Sequence, residues 1–158
     1  MNISIVGTGY VGLVSGACFA ELGATVHCID TDKQKIDNLN NGIIPNYEPG
    51  LEDLVHRNMK AGRLFFSTDL TESLDQVEIL FIAVGTPPGE DGSADMTHVL
   101  RVAKTIGANL NKYLLVVTKS TVPVGSSKLV RNVIEDELAG RGKNIEFDIA
   151  SNPEFLKE

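Results

Sequence analysis

The sequence predicts an α/β fold, in which a doubly wound parallel sheet lies between two layers of helices. Short apolar runs of strand length alternate with helical segments along the whole chain. That order builds parallel strands joined by right-handed helical crossovers. A glycine-rich turn follows the first apolar run, as is typical of the first crossover in this class. Two successive βαβαβ halves predict the strand order 3-2-1-4-5-6.

In the first half of the chain, an apolar strand opens the fold and precedes a helix of small and apolar residues. Gly23 closes that helix as a C-cap would. The stretch 42–50 contains two prolines and cannot be regular structure. The predicted strands are 2–6, 25–29 and 64–67, and the predicted helices are 11–22, 33–41, 51–60 and 70–74.

The second half contains the most apolar strand, as expected for a strand that helices cover on both faces. A loop rich in proline and glycine follows it at 85–95, and a second Pro/Gly turn precedes the last helix. The predicted strands here are 77–84, 113–118 and 145–150, and the predicted helices are 97–110 and 126–138.

Composition favours one ordinary globular domain. The chain has 158 residues and a net charge of −7, with a pI near 4.9. That charge argues against a nucleic-acid surface, which needs a basic face. We find no run long enough to span a bilayer and no secretory leader. Cys18 and Cys28 both lie in apolar surroundings, so we expect two core thiols in a reduced, cytoplasmic protein.

The motif GTGYVG follows the first strand and opens the first helix, which is the context that a dinucleotide-binding Rossmann fold requires. Gly7 is expected to make the tight turn, Gly9 to let a diphosphate approach the backbone, and Gly12 to let helix and strand pack closely. The plainer alternative is a turn that only needs a positive φ angle.

Asp30 ends the second strand, where an acidic side chain can accept hydrogen bonds from the adenosine ribose. Its carboxylate would repel a 2′-phosphate, and no arginine follows it directly, which favours NAD over NADP. A solvated acid in a turn is the alternative. Lys35 lies on the next helix, where it either borders the adenine side or belongs to a solvated face.

Two more loops leave the carboxyl ends of strands beside the switch in strand order, where ligands bind in open α/β sheets. Both could also be ordinary β-to-α turns. The hydroxyl of Thr86 is expected to face the cofactor, and the second loop offers two hydroxyls. The candidate cofactor contacts in these loops are Val84, Gly85, Thr86, Pro87, Ser120 and Thr121.

The segment SNPEFLKE follows the last strand and has the pattern of a helix start, with Asn152 as N-cap and Pro153 at the first helical position. Glu154 and Glu158 would then share one face, poised for proton handling or for holding a water, or forming a solvated acidic surface. Because the chain stops barely one turn into this helix, we expect a longer protein.

Five segments together resemble the UDP-glucose/GDP-mannose dehydrogenase family of nucleotide-sugar 6-dehydrogenases, over the whole chain. They are ISIVGTGYVGL, PNYEPGLEDLV, AVGTPPGEDGSADM, KSTVPVG and SNPEFLKE, in that order. STVPVG together with PPGEDGSAD favours UDP-glucose as the substrate over GDP-mannose or UDP-N-acetylmannosamine.

The resemblance implies oxidation of a sugar C6 alcohol to a carboxylate, with NAD used twice and a cysteine that holds the intermediate covalently. It implies that residues 1–158 are the NAD-binding domain. A central helix and a C-terminal sugar-nucleotide domain, absent from this chain, would carry that cysteine and the homo-oligomer contacts. Isolated, the chain should have no turnover. No metal, nucleic acid or membrane partner is implied.

The resemblance also assigns roles to single residues. Thr121 and Glu154 match residues that position or activate a water, and Glu158 matches one that contacts both the cofactor and the substrate side. The matched cofactor positions are Gly7, Thr8, Gly9, Tyr10, Val11, Gly12, Asp30, Lys35, Thr86 and Thr121, and the matched substrate positions are Glu154, Phe155, Leu156, Lys157 and Glu158.

Two other classes of protein remain open at this point. One is an NAD enzyme with a similar front half, such as a 3-hydroxyacyl-CoA or 6-phosphogluconate dehydrogenase, although these are expected to lack STVPVG and NPEFLKE. The other is a stand-alone NAD-sensing domain without catalysis.

Overall fold

The fold consists of six strands and six helices in a computed structural model that describes residues 1–90 and 92–155. The strands are β1 (Asn2–Val6), β2 (Thr25–Ile29), β3 (Leu64–Ser67), β4 (Ile79–Ile82), β5 (Leu114–Thr118) and β6 (Phe147–Ser151). The helices are α1 (Tyr10–Glu21), α2 (Lys33–Asn40), α3 (Leu51–Lys60), α4 (Thr71–Leu74), α5 (Thr97–Asn109) and α6 (Ser126–Gly140).

All five strand pairs are parallel, and the order in the sheet is β3-β2-β1-β4-β5-β6, which confirms the predicted topology. β1 lies in the middle, where the strand order reverses. Its last residue, Val6, pairs with Ile29 of β2 and with Ile82 of β4. The carboxyl ends of these three strands therefore lie level with one another and open a crevice above β1.

Each face of the sheet carries its own apolar core. Residues of α1, α2 and α3 pack on one face and residues of α4, α5 and α6 on the other. α5 and α6 pack closely because α5 has Gly107 at their contact, where a Cβ would lie 2.7 Å from the Cβ of Glu137. None of the helices in the described part of the chain is long and apolar enough to cross a membrane.

The prediction that both cysteines are core residues is wrong for Cys18, which is exposed, whereas Cys28 is fully buried. α1 presents Leu13 and Ala17 to the sheet, and Cys18 follows Ala17 by one residue, about a quarter-turn round the helix. Because apolar residues surround α1, no polar face marks its outer side in the sequence.

The helix predicted to start at Asn152 is not present in residues 152–155, which have no regular structure. The amide oxygen that would cap a helix instead accepts a hydrogen bond from Nζ of Lys119, at 3.1 Å. The Asn152 N–H donates to the carbonyl oxygen of Thr118 at 3.0 Å and so continues the pairing of β6 with β5.

Candidate functional site

The glycine-rich turn between β1 and α1 is tightly packed at two of its glycines. Gly7 has φ +106°, and a Cβ there would overlap the carbonyl oxygen of Ala83 at the end of β4. A Cβ on Gly12 would overlap the carbonyl oxygen of Gly7. Backbone atoms that cannot move aside leave no room for a Cβ at either position. Glycine at both positions therefore lets the turn form and α1 lie close to the sheet.

Gly9 is different, because the protein leaves the space beside it open. It is exposed, has an ordinary extended conformation as the N-cap of α1, and a Cβ there would meet no atom of the described residues within 4 Å. Packing within residues 1–90 and 92–155 therefore does not require glycine at this position. The N–H groups and the dipole of the first turn of α1 attract an anion there, so the turn fits a diphosphate that approaches the backbone.

Two cavities meet at Gly9, one on each side of the turn. We name the first, of about 320 Å³, the Asp30 cavity. The second, of about 230 Å³, is the Thr121 cavity. The Asp30 cavity is lined by Val6, Gly7, Gly9, Asp30, Thr31, Lys35, Ala83, Val84, Gly85, Pro87, His98, Arg101 and Val102. The Thr121 cavity is lined by Gly9, Tyr10, Val11, Ala83, Val84, Gly85, Thr86, Lys119, Ser120, Thr121 and Glu154.

The Asp30 carboxylate is held by four donors. Oδ2 accepts from the N–H of Thr8 at 2.9 Å, from the hydroxyl of Thr8 at 2.7 Å and from Nζ of Lys35 at 3.1 Å, while Oδ1 accepts from the N–H of Asp32 at 3.1 Å. Burial alone would raise the pKa of Asp30, but the hydrogen bonds from Thr8, Asp32 and Lys35 outweigh it and lower that pKa. The group is therefore an anion at neutral pH.

Hydrogen bonds join the two loops that form the Thr121 cavity. The hydroxyl of Thr86 donates to the carbonyl oxygen of Thr121 at 2.6 Å, and the hydroxyl of Ser120 donates to the carbonyl oxygen of Val84 at 2.7 Å. Ser120 therefore fixes one loop against the other through its hydroxyl. Glu154 is partly buried in the same cavity and supplies a carboxylate there.

Tyr10 is tied to a loop that the sequence marked only as irregular. Its hydroxyl donates to Oε2 of Glu48 at 2.8 Å. Glu48 belongs to the segment PNYEPGLEDLV, and this contact joins that segment to the start of α1 beside the Thr121 cavity.

Most of the predicted cofactor positions come together in the two cavities, but Thr8 and Gly12 line neither of them. Thr8 is buried behind Asp30, and Gly12 lies under Gly7. Phe155 lines neither cavity and is 90% exposed. The roles expected for Leu156, Lys157 and Glu158 fall outside the described residues.

Sequence reasoning missed the contribution of α5 to the Asp30 cavity. His98, Arg101 and Val102 line its outer wall. Their spacing of three and four residues places them on one face of α5, and that face is the signal that could have found them. Among the described residues, no cluster of three or more His, Cys, Asp or Glu side chains could hold a metal ion.

A larger but shallow groove, of about 520 Å³, lies away from this crevice along the edge strand β6. Its lining includes Tyr113, Arg131 and Phe147, with the Arg131 guanidinium 5.1 Å from the centre of the Phe147 ring. Size alone would favour this groove. We place the site at Gly9 because backbone donors, a fixed anion and converging loops meet there.

The whole chain is similar in sequence to proteins of one known family. A family described as "UDP-glucose/GDP-mannose dehydrogenase family, NAD binding domain" matches residues 1–158. A UDP-glucose 6-dehydrogenase of Bacillus subtilis (strain 168) is 53% identical over 99% of this chain, which spans 33% of that relative. The chain thus covers about one third of the length of the curated relatives it matches.

Solved structures of similar sequence have the same fold. A UDP-glucose dehydrogenase from Pyrobaculum islandicum superposes with a TM-score of 0.91 at 40% identity, over 99% of this chain and 36% of that one. A GDP-mannose dehydrogenase from Pseudomonas aeruginosa, solved as a ternary complex, superposes with a TM-score of 0.92 at 37% identity, over 100% of this chain and 37% of that one.

Proposed function

The chain belongs to the UDP-glucose/GDP-mannose dehydrogenase family as its NAD binding domain, and from that membership we propose which of its residues hold NAD and what the whole protein does. The single observation that carries the proposal is the open space at Gly9 between the two cavities. A dinucleotide has a diphosphate in the middle and a nucleoside at each end. The crevice has the matching order of sites.

We place the adenosine half in the Asp30 cavity. The carboxylate of Asp30 is an anion there, and it can accept a ribose hydroxyl but repels a 2′-phosphate. Lys35 pairs with Asp30 and shields part of that charge. Gly7, Gly9, Val84, Gly85 and Pro87 complete the walls of this half of the site.

The nicotinamide half then lies in the Thr121 cavity, where the bound cofactor would accept a hydride. Tyr10, Val11, Thr86, Ser120 and Thr121 surround it. Glu154 brings a carboxylate to the same cavity and can orient a water or take its proton. We assign Thr121 and Glu154 to this task, and Glu158 to the border between cofactor and substrate. We assign Phe155, Leu156 and Lys157, with both glutamates, to the sugar-nucleotide pocket.

For the whole protein we propose oxidation of the C6 alcohol of UDP-glucose to the carboxylate, as a cytoplasmic homo-oligomer. Curated relatives named UDP-glucose 6-dehydrogenase, at up to 53% identity, support this substrate, and among the solved structures a UDP-glucose dehydrogenase is 40% identical and a GDP-mannose dehydrogenase 37%. An exposed free thiol on α1 supports a reducing compartment.

This chain alone should not turn over. Burial raises the pKa of the Cys28 thiol to about 12, so it is not a nucleophile at neutral pH. Neither Cys18 nor Cys28 lines the Asp30 or the Thr121 cavity. We therefore propose that the reactive cysteine of the family belongs to a part of the protein outside these residues.

Calorimetric titration of the 158-residue chain tests the proposal. We expect NAD⁺ to bind and NADP⁺ to bind at least about tenfold more weakly. Asp30→Ala should lower the affinity for NAD⁺ by about tenfold, because it removes the hydrogen bond between a ribose hydroxyl and a charged carboxylate. Asp37→Ala is the matched control, because Asp37 is on α2 and lines neither cavity. A folded chain that binds no dinucleotide would contradict the proposed NAD site. Release of NADH from NAD⁺ and UDP-glucose would contradict the claim that this chain alone does not turn over.

A further inference from the structure

We infer that Thr8 is a positioning residue, which turns the Asp30 carboxylate so that only Oδ1 is left to accept a hydroxyl of the adenosine ribose. The inference rests on the proposed function, since it concerns how the same site recognises NAD. It gives Thr8 a role through Asp30, whereas the motif GTGYVG suggested a contact with the cofactor itself.

In the described part of the chain, the N–H and the hydroxyl of Thr8 donate hydrogen bonds to Asp30. Thr8 is 1% exposed and lines neither cavity. Both of its donors, the N–H at 2.9 Å and the hydroxyl at 2.7 Å, converge on one atom, Oδ2 of Asp30. Two hydrogen bonds thereby hold the glycine-rich turn to the residue that follows β2.

The acceptor capacity of Asp30 then decides which oxygen meets the ligand. A carboxylate oxygen has about two lone-pair sites. Oδ2 already receives three donors, two from Thr8 and one from Lys35, and so has no site left. Among the described residues, Oδ1 receives only the N–H of Asp32, at 3.1 Å, and keeps one site for a hydroxyl.

A carboxylate fixed in this way has already lost its rotational freedom before the cofactor binds. Binding then costs less ordering of the site, which raises affinity without any new contact to the ligand. Removing the hydroxyl of Thr8 takes away the shortest of the four hydrogen bonds and leaves the carboxylate less firmly oriented. The expected loss is up to about tenfold in NAD⁺ affinity, the upper end of what ordering one side chain on binding costs.

A double-mutant cycle on the 158-residue chain separates this role from a structural one. Thr8→Val exchanges the hydroxyl for a methyl group of similar size, and Thr8→Ser keeps the hydroxyl. We expect Thr8→Val to lower the affinity for NAD⁺ by up to about tenfold. Thr8→Ser should keep an NAD⁺ affinity within about twofold of that of the unaltered chain. In the Asp30→Ala background, Thr8→Val should change NAD⁺ affinity by less than about twofold, because its target is gone.

A second readout needs no ligand. The hydrogen bonds from Thr8 help to lower the pKa of Asp30, so NMR titration of the Asp30 carboxyl should give a higher pKa in Thr8→Val than in Thr8→Ser. If Thr8→Val does not fold, Thr8→Ala replaces it in the same NMR titration. Thr105→Val, on α5 and outside both cavities, is the control for loss of a threonine hydroxyl.

The outcomes are distinct. If Thr8→Val weakens NAD⁺ equally with and without Asp30, or leaves both affinity and the pKa of Asp30 unchanged, the inference is overturned while NAD binding stands. If the unaltered, folded chain binds no NAD⁺, the proposed function falls and the inference with it. Weakening that depends on Asp30, together with rescue by serine, supports the inference.

Discussion

The three glycines of the first turn respond differently to an added methyl group. A Cβ on Gly7 or Gly12 would overlap a carbonyl oxygen, whereas a Cβ on Gly9 would enter open space. Gly7 and Gly12 are therefore required by the packing of the turn. The contact of Gly9 with a diphosphate stays a prediction.

Gly12→Ala and Gly9→Ala form a matched pair that tests this division. Gly12→Ala should lower the free energy of unfolding by about 3 kcal/mol, because its Cβ meets backbone that cannot move aside. Gly9→Ala should lower it by less than about 1 kcal/mol but weaken NAD⁺ at least about tenfold. Urea unfolding and calorimetry measure the two quantities. A reversal of either effect would contradict the assignment.

Other single residues could not be placed from the sequence. Asp30 was identified by its position after β2. The hydrogen bonds that it accepts from Thr8 depend on where two loops meet in space, which the sequence does not indicate. Cys18 was misplaced because the residues around it in α1 are all small or apolar. His98 and Arg101 were missed because a cavity wall on a helix has no marker apart from helical spacing.

The centres of the helices and strands followed from the sequence better than their ends did. The apolar run 77–84 was read as one strand, yet β4 spans only Ile79–Ile82. Val77 is fully buried, but its N–H donates to the carbonyl oxygen of Ser73 in α4 instead of to a neighbouring strand. Burial and strand pairing are separate constraints, and an apolar pattern reports only the first.

The contact between α5 and α6 offers a test at Gly107. Gly107→Ala would bring its Cβ to 2.7 Å from Cβ of Glu137 and 2.8 Å from the carbonyl oxygen of Ile134. We expect it to lower the free energy of unfolding by about 2 kcal/mol despite the better helix propensity of alanine. Gly140→Ala, at the end of α6 with no atom within 4 Å, is the control and should be neutral or stabilising. Equal effects of both substitutions in urea unfolding would contradict this packing.

For the molecule as a whole, the order of strands decides where the site is. β1 and β4 lie side by side although four helices and two strands separate them in sequence, and their loops diverge to open the crevice. The position of the crevice was predictable, because the succession of strands and helices and the glycine-rich turn are both local signals. The helix expected at residues 152–155 was not, since Lys119 and Thr118 bind Asn152 from another strand.

The central claim is that NAD lies across the turn at Gly9, and amide NMR of the chain during titration with NAD⁺ tests it most directly. We predict that the largest shift changes fall on the amides of Gly9, Val11 and Gly12, and on residues lining the Asp30 and Thr121 cavities. The groove along β6, at Tyr113 and Phe147, should stay unchanged. Shift changes confined to that groove, with the glycine-rich turn unaffected, would contradict the account.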